Sequence, residues 1–195
     1  NRQIGNKRSE GINLGNLGLV YKNLGQYEDS ISHLKEALKI SRQIGDKKGE
    51  GINLGNLGSV YKNLGQYENA ISHYKQALEI NRQIGNKRSE GQNLGNIGNV
   101  YRELGQYKKA IVHYKGSIEI SKEIGDKKSE GIFLGNLGLV YQEIGQYEES
   151  ISHYKEAIEI SKQIEHKSNE GINLGNVGDL FLKLERWEEA EQHLI

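Results

Sequence analysis

The sequence predicts an all-α fold, a solenoid of antiparallel helix pairs, and three observations carry that prediction. The stretch from Gly51 to Tyr61 recurs in nearly the same words at Gly11 to Tyr21, Gly91 to Tyr101, Gly131 to Tyr141 and Gly171 to Phe181, each start 40 residues after the last. Self-similarity at one fixed period of this size marks a solenoid or array. At 100° per residue, Leu54, Leu57, Gly58, Tyr61 and Leu64 fall on one face of a helix, and an apolar face of that kind must be buried. Finally, Gly25-Gln26 and Gly45-Asp46 interrupt the first unit twice, which divides it into two helices.

The elements follow in order. Residues 1–6 read as the tail of a preceding helix. Helix A of the first full repeat runs from about Lys7 to Leu24. Gly25 suits the left-handed conformation that ends a helix. Helix B follows from about Tyr27 to Ile44, with a main apolar face of Tyr27, Ile31, Leu34, Ala37 and Leu38. A flank of Ile40 and Ile44 is expected to meet the next repeat. Gly45-Asp46 turns the chain, and Asp46 is placed to cap the next helix. The pairs recur at about 47–64 and 67–84, 87–104 and 107–124, and 127–144 and 147–164. A last helix A spans about 167–184, and a cut-off helix B begins at Trp187. The repeats are therefore about 7–46, 47–86, 87–126 and 127–166, with a truncated one at 167–195. Residues 1–10 match 81–90 word for word, where they straddle two repeats. The expectation is one array, residues 1–195, cut from a longer protein. Glu165 and Glu185 stand where glycine closes the other turns, so those two turns are expected to differ in shape.

Glycine is abundant, at 25 residues, and proline is absent. Glycine inside a helix costs on the order of 1 kcal/mol against alanine. Gly18, Gly58, Gly98, Gly138 and Gly178 lie on the buried face, where a missing side chain lets helix B approach. Gly11, Gly15 and their equivalents leave helix A weak in isolation, so stacking must order it.

Composition excludes several function classes. Lys plus Arg and Asp plus Glu both number 26, so the chain is formally neutral. Residues 1–90 carry 14 basic and 9 acidic groups, and residues 91–195 carry 12 and 17, which gives halves of +5 and −5. That is not the basic footprint of a nucleic-acid binder, but it permits head-to-tail contact between molecules. No cysteine is present, so disulfides, thiolate metal sites and cysteine nucleophiles are excluded. No apolar run approaches the roughly 20 residues of a membrane helix. The expectation is a cytoplasmic protein without a cofactor, acting on neither nucleic acid nor membrane.

The residues resemble the tetratricopeptide repeat. In the second repeat its signature is read at Leu54, Leu57-Gly58, Tyr61, Gly65-Gln66-Tyr67, Ala70, Tyr74 and Ala77. The usual period is 34; the 40-residue variant is similar to the repeats of kinesin light chains and of the Leu-Gly-Asn-repeat spindle-orientation adaptors. Leu34 for Tyr, Ser117 for Ala, Phe181 for Tyr and Trp187 for Tyr depart from the pattern, and all but Ser117 are expected to keep bulk in the core. The resemblance implies a right-handed superhelix whose A helices line a concave groove, and a partner protein's peptide as the ligand. In similar repeats an Asn just before the Leu-Gly pair reaches into the groove. The matching residues here are Asn16, Asn56, Asn96, Asn136 and Asn176.

The same asparagines emerge from the helical angle. Ile52, Asn56, Ser59 and Asn63 share the face opposite the apolar one. An asparagine offers both a carbonyl and an amide, so it can pair with a ligand backbone whatever the ligand sequence. Helices about 10 Å apart and a peptide rising about 3.3 Å per residue put one asparagine at about every third ligand residue. Five would span roughly twelve residues. Alternatively, these asparagines merely bond neighbouring helices. Beside them, Ile12, Ile52, Ile132 and Ile172 add apolar surface, with Gln92 the exception. Leu19, Ser59, Asn99, Leu139 and Asp179 vary between repeats, as do Asn23, Asn63, Glu103, Glu143 and Lys183. Variation within a near-copied unit suits ligand selection or simple drift. Phe133, in place of Asn, is expected to pack on a neighbouring helix rather than to anchor a ligand.

His33, His73, His113, His153 and His193 also recur every 40 residues. They are expected near the Ile40–Ile44 flank, half-buried and facing the next repeat. Rungs near 10 Å apart cannot supply nitrogens at the roughly 2.0–2.1 Å that zinc requires. The Gly-Asn-Leu-Gly words lie inside helices and lack the preceding strand of a phosphate loop. Ser72 and His73 point to different faces, and no catalytic constellation is found. The expected function is non-catalytic protein–protein interaction, a scaffold or adaptor binding a partner peptide in the groove. The alternatives are a self-assembling head-to-tail array, joined through exposed terminal repeats, and a regulatory or sensor array of a larger enzyme or signalling protein.

Overall fold

The computed structural model describes residues 2–187, with side chains described from residue 5. Among the described residues lie nine helices: α1 (Arg2–Asn23), α2 (Tyr27–Gln43), α3 (Lys47–Asn63), α4 (Tyr67–Gln83), α5 (Lys87–Glu103), α6 (Tyr107–Glu123), α7 (Lys127–Glu143), α8 (Tyr147–Gln163) and α9 (Lys167–Lys183). The odd-numbered helices are the expected A helices and the even-numbered ones the B helices. The chain forms two compact units, 1–100 and 101–195, whose boundary falls inside α5. The expected last helix B from residue 188 onward, and His193 on it, lie outside the described residues.

The turns show why the helices end where they do. Gly25 has φ +75° and Gly45 +69°. The left-handed residue lets two amides fold back, Gly45 N to Arg42 O at 3.3 Å and Asp46 N to Ser41 O at 2.9 Å, which satisfies carbonyls the helix end leaves orphaned. Asp46 then accepts a hydrogen bond from Gly49 N at 3.0 Å, capping α3. One expected boundary is corrected: α1 runs unbroken from Arg2, so residues 2–6 are not a separate helix tail.

The turns at Glu165 and Glu185 are also corrected, because they keep the shape of their glycine counterparts. Glu165 takes φ 55° and Glu185 φ 58°. Glu165 N reaches Lys162 O at 3.2 Å and His166 N reaches Ser161 O at 2.8 Å, the same closure as at Gly45. The flanking helices dictate the turn, and the glutamates bear the strain. Left-handed backbone costs a residue with a Cβ roughly 1–2 kcal/mol, part of which glycine returns as unfolded-state entropy. Glu165→Gly is therefore expected to stabilise the chain by about 0.5–1 kcal/mol in urea unfolding.

Packing accounts for the glycines on the A helices. A Cβ on Gly18 would stand 2.7 Å from Leu34 Cγ, and one on Gly58 would stand 2.7 Å from Tyr74 Cδ1. At Gly138 the nearest atom would be Tyr154 Cδ1, at 2.9 Å. The B helix thus lies against backbone, and each bare glycine admits one large side chain. Leu34, Tyr74, Tyr114 and Tyr154 are at most 2% exposed. Between repeats in the first unit, Leu34 and Leu38 cluster with Leu54, Leu57 and Val60 of α3. In the second, Tyr154 and Ile158 cluster with Val177, Leu180 and Phe181 of α9. The buried core is a chain of small shared clusters rather than one centre.

The Ile40 flank departs from expectation. Ile40 Cγ2 is 3.1 Å from where a Cβ on Gly11 would stand, so it packs on its own repeat while bordering the next. His33, seven residues earlier on the same side of α2, likewise meets its own repeat. Its ring stacks on Tyr21 with centroids 5.0 Å apart, and the same pairing recurs for His73 with Tyr61 and for His113 with Tyr101. Trp187, expected in the core, is 63% exposed; it stands at the start of its segment, where the equivalent Tyr27 and Tyr67 are themselves only half-buried.

A buried glutamate ties α2 to α3, α4 to α5 and α6 to α7. Arg42 Nε donates to Glu50 Oε1 at 2.8 Å and Lys47 Nζ to Oε2 at 2.9 Å. Glu90 meets Arg82 and Lys87, and Glu130 meets Lys122 and Lys127. Burial pushes the Glu50 carboxyl up, but the hydrogen bonds and charges of Lys47 and Arg42 outweigh it and hold it below the usual carboxylate value. A lowered folded pKa contributes stability above the unfolded value, near 4.3, and loses it as pH falls through the folded one. The stability gap between the native chain and Glu50→Gln is expected to shrink as pH drops below about 4.3, measured by urea unfolding at several pH values.

Candidate functional site

The outward face of the A helices carries shallow depressions between successive repeats. In the first unit, one lies between α1 and α3 and is lined by Ile12, Asn16, Leu19, Ile52, Asn53 and Asn56, among others. A second, between α3 and α5, is lined by Ile52, Asn56, Ser59, Gln92, Asn93 and Asn96, with Asn81 and Ser89. Asn56 borders both. In the second unit, a depression between α7 and α9 is lined by Ile132, Asn136, Leu139, Ile172, Asn173 and Asn176. The three hold about 170, 260 and 320 Å³. Those volumes lie at or below the lower end of small-molecule sites, roughly 300–1,000 Å³, and fit single side chains of a larger ligand.

Spacing produces this surface. Asn56, Asn96, Asn136 and Asn176 sit one residue before the buried Leu57, Ile97, Leu137 and Val177, so each turns away from the B helix, and Asn16 holds the same place before Leu17. Asn16 is exposed and the other four half-buried. Ile12, Ile52 and Ile172 are 56%, 49% and 60% exposed, an unusual position for isoleucine on a packed helix.

Not every candidate joins the depressions. Asn63, Glu103 and Glu143 lie in the last turns of their A helices, one turn beyond Ser59, Asn99 and Leu139. Glu143 still feels the protein: burial raises its carboxyl and the Arg102 charge offsets part of that. Arg102, Glu143 and Glu103 also act on the Tyr114 hydroxyl, which burial pushes far above the ordinary tyrosine value. Phe133 is 7% exposed and stacks on Tyr114 with centroids 6.3 Å apart, so it is no ligand anchor.

A second row of asparagines escaped the sequence reading. Asn53, Asn93 and Asn173 are 5%, 6% and 1% exposed. Their amides donate to Ser41 Oγ at 3.2 Å, Ser89 O at 2.8 Å and Asn169 O at 2.8 Å. Asn53 Oδ1 lies 3.1 Å from where a Cβ on Gly15 would be. Through Oδ1 this row packs over Gly15, Gly55 and Gly135 of the preceding A helices, beneath the outer row. The readable signal was the glycine at Gly15 and Gly55, which an exposed helix surface has no reason to keep.

A pairing of helices in 40-residue units, with a grooved face of amides and aliphatics, defines a repeat protein built for interaction. The family model of the tetratricopeptide repeat matches residues 9–83, 50–123, 89–163 and 129–194. The chain belongs to this family of protein-interaction repeats, and its fold is an all-α tetratricopeptide-type solenoid. No curated protein matches the sequence. Among solved structures, it is similar to the signal transduction ATPase with numerous domains with a tetratricopeptide repeat sensor from Pyrococcus horikoshii. That match has TM-score 0.85 and 21% identity, and covers 96% of this chain but 29% of that one. It is also similar to a putative kinesin light chain with nearly identical repeats from Podosopora anserina, at TM-score 0.77 and 16% identity, covering 96% and 92%. A Rap protein complexed with competence and sporulation factor matches at TM-score 0.78 and 18% identity, covering 98% and 62%. These likenesses concern the fold. No helix among the described residues is long and apolar enough to cross a membrane.

Proposed function

We propose that the chain is a non-catalytic binding module that captures an extended partner peptide along the outward face of its A helices. The observation that carries this reading is the recurrence of an asparagine beside an exposed isoleucine at each depression. The amides pair with the ligand backbone, and the pockets beside them take its side chains. A Rap protein of the same fold was solved with competence and sporulation factor bound, which supports a ligand-binding role for such an array. The sensor described in the Pyrococcus protein supports the related reading that the array reports binding to a larger protein.

The test is to pan the chain against a phage-displayed library of random peptides about 12 residues long, longer than the roughly six residues that the three rungs of one unit span. Selected peptides are then titrated against the Asn56→Ala, Asn96→Ala, Asn136→Ala triple variant, with helicity checked by circular dichroism. Binding is expected to fall at least a hundredfold. Failure to select any peptide rejects the reading.

A further inference from the structure

The two depressions of the first unit share one plan but differ in chemistry. Of the ten positions that line both, four differ: three change from an apolar residue or glycine to a polar one, and the fourth from a hydroxyl to an amide. Leu19, Ser41, Gly49 and Ile52 line the α1–α3 depression; Ser59, Asn81, Ser89 and Gln92, each 40 residues later, line the α3–α5 depression. Asn81 is 2% exposed and lies beneath the depression, its Oδ1 3.2 Å from where a Cβ on Gly51 would stand. Charge separates the two as well. Arg8 and Asp46 line the first and pair at 3.2 Å, while the second is lined by amides, hydroxyls, glycines and one isoleucine, with no formal charge.

From this contrast we infer that the α3–α5 depression is a subsite for a neutral hydrogen-bonding side chain, an amide or hydroxyl, of the same extended peptide whose aliphatic side chain enters the α1–α3 depression. The inference rests on the peptide-binding reading above. A carboxylate or ammonium entering the second depression would shed water without meeting an opposite charge. An aliphatic side chain would cover the half-buried Ser89 and the exposed Gln92 without giving either a hydrogen-bonding partner. A neutral amide or hydroxyl satisfies both conditions. Successive A helices about 10 Å apart, against about 3.3 Å per extended residue, place the two side chains about three residues apart. The discrimination is unequal: a site built to hydrogen-bond rejects an apolar analogue strongly, whereas an apolar pocket sorts aliphatics weakly.

The test uses the same phage-displayed random peptides, panned against the whole chain and against Gln92→Ile and Ser59→Leu, singly and together. Gln92 is exposed and Ser59 half-buried on the outward face, so both changes spare the core. Peptides selected on the native chain are expected to share an aliphatic residue and, about three positions away, an Asn, Gln, Ser or Thr. Replacing that polar residue with leucine weakens binding about ten- to a hundredfold. On the double variant, the selected residue at that position becomes aliphatic. If selected peptides lose binding on Asn56→Ala yet show no polar preference, or keep it unchanged on the double variant, the subsite is overturned while peptide capture stands. If no peptide is selected at all, both fall.

Discussion

Tyr154→Ala is expected to destabilise the second unit by about 3–5 kcal/mol, the usual cost of emptying a buried aromatic site. The ring is fully buried. It lies against the backbone at Gly138, whose absent Cβ would stand 2.9 Å from Tyr154 Cδ1, and it belongs to the cluster of Val177, Leu180 and Phe181. Neither helix can close the gap cheaply, because each is held by its own turn and by the next pair. The hydroxyl adds a smaller part: Tyr154 Oη donates to Gln142 Oε1 at 2.9 Å, and burial pushes the phenol pKa up to about 12. Tyr154→Phe is therefore expected to cost only about 0.5–1.5 kcal/mol. In a repeat protein, contacts reach only neighbouring units. Hydrogen exchange is expected to show lost protection in α7, α8 and α9 with α1 and α2 little changed. Uniform loss over the whole chain would contradict this local account.

Gly58→Ala is the second large effect, and its sign is the opposite of what helix propensity suggests. Propensity alone favours alanine by about 1 kcal/mol. The new Cβ, however, would meet Tyr74 Cδ1 at 2.7 Å and Cε1 at 2.8 Å. The ring is 2% exposed and enclosed, so α3 and α4 must part. Overpacking of this kind costs about 1–3 kcal/mol. A net loss of up to about 2 kcal/mol is expected in urea unfolding. Gly171→Ala is the control, since no atom lies within 4 Å of its absent Cβ; there alanine is expected to stabilise.

These positions show which parts of the molecule were legible in the sequence. Gly18, Gly58 and Gly138 were readable because glycine on an apolar helix face makes sense only as a close approach. The helix bounds were readable because Gly25, Gly45 and their equivalents needed a positive φ, and seven glycines have it. Glu165 was misread because residue type there is overruled by the helices on either side, which impose the same turn. The His33 side of the B helix was misassigned because a helical angle orders residues around an axis without saying which neighbour occupies each direction. At the candidate site, the angle placed Asn56, Ile52 and Ser59 on one face. It could not separate Asn56 from Asn53, three residues away; only packing shows that Asn53 serves the neighbouring helix while Asn56 borders two depressions. The polar shift of the α3–α5 depression was half visible as Gln92. Ser89 lies one turn before Gln92 on α5, within reach of the same angle, but Asn81 comes from α4 and only folding brings it beside them.

The most direct trial of the central proposal is the affinity of Asn56→Ala for several selected peptides of unrelated sequence, measured by fluorescence anisotropy. If the outer asparagines hold the ligand's backbone, every peptide loses about tenfold or more, whatever its side chains, because two hydrogen bonds of about 0.5–1.5 kcal/mol each are removed. Unchanged affinity with helicity intact, or a loss confined to peptides of one sequence type, would contradict it.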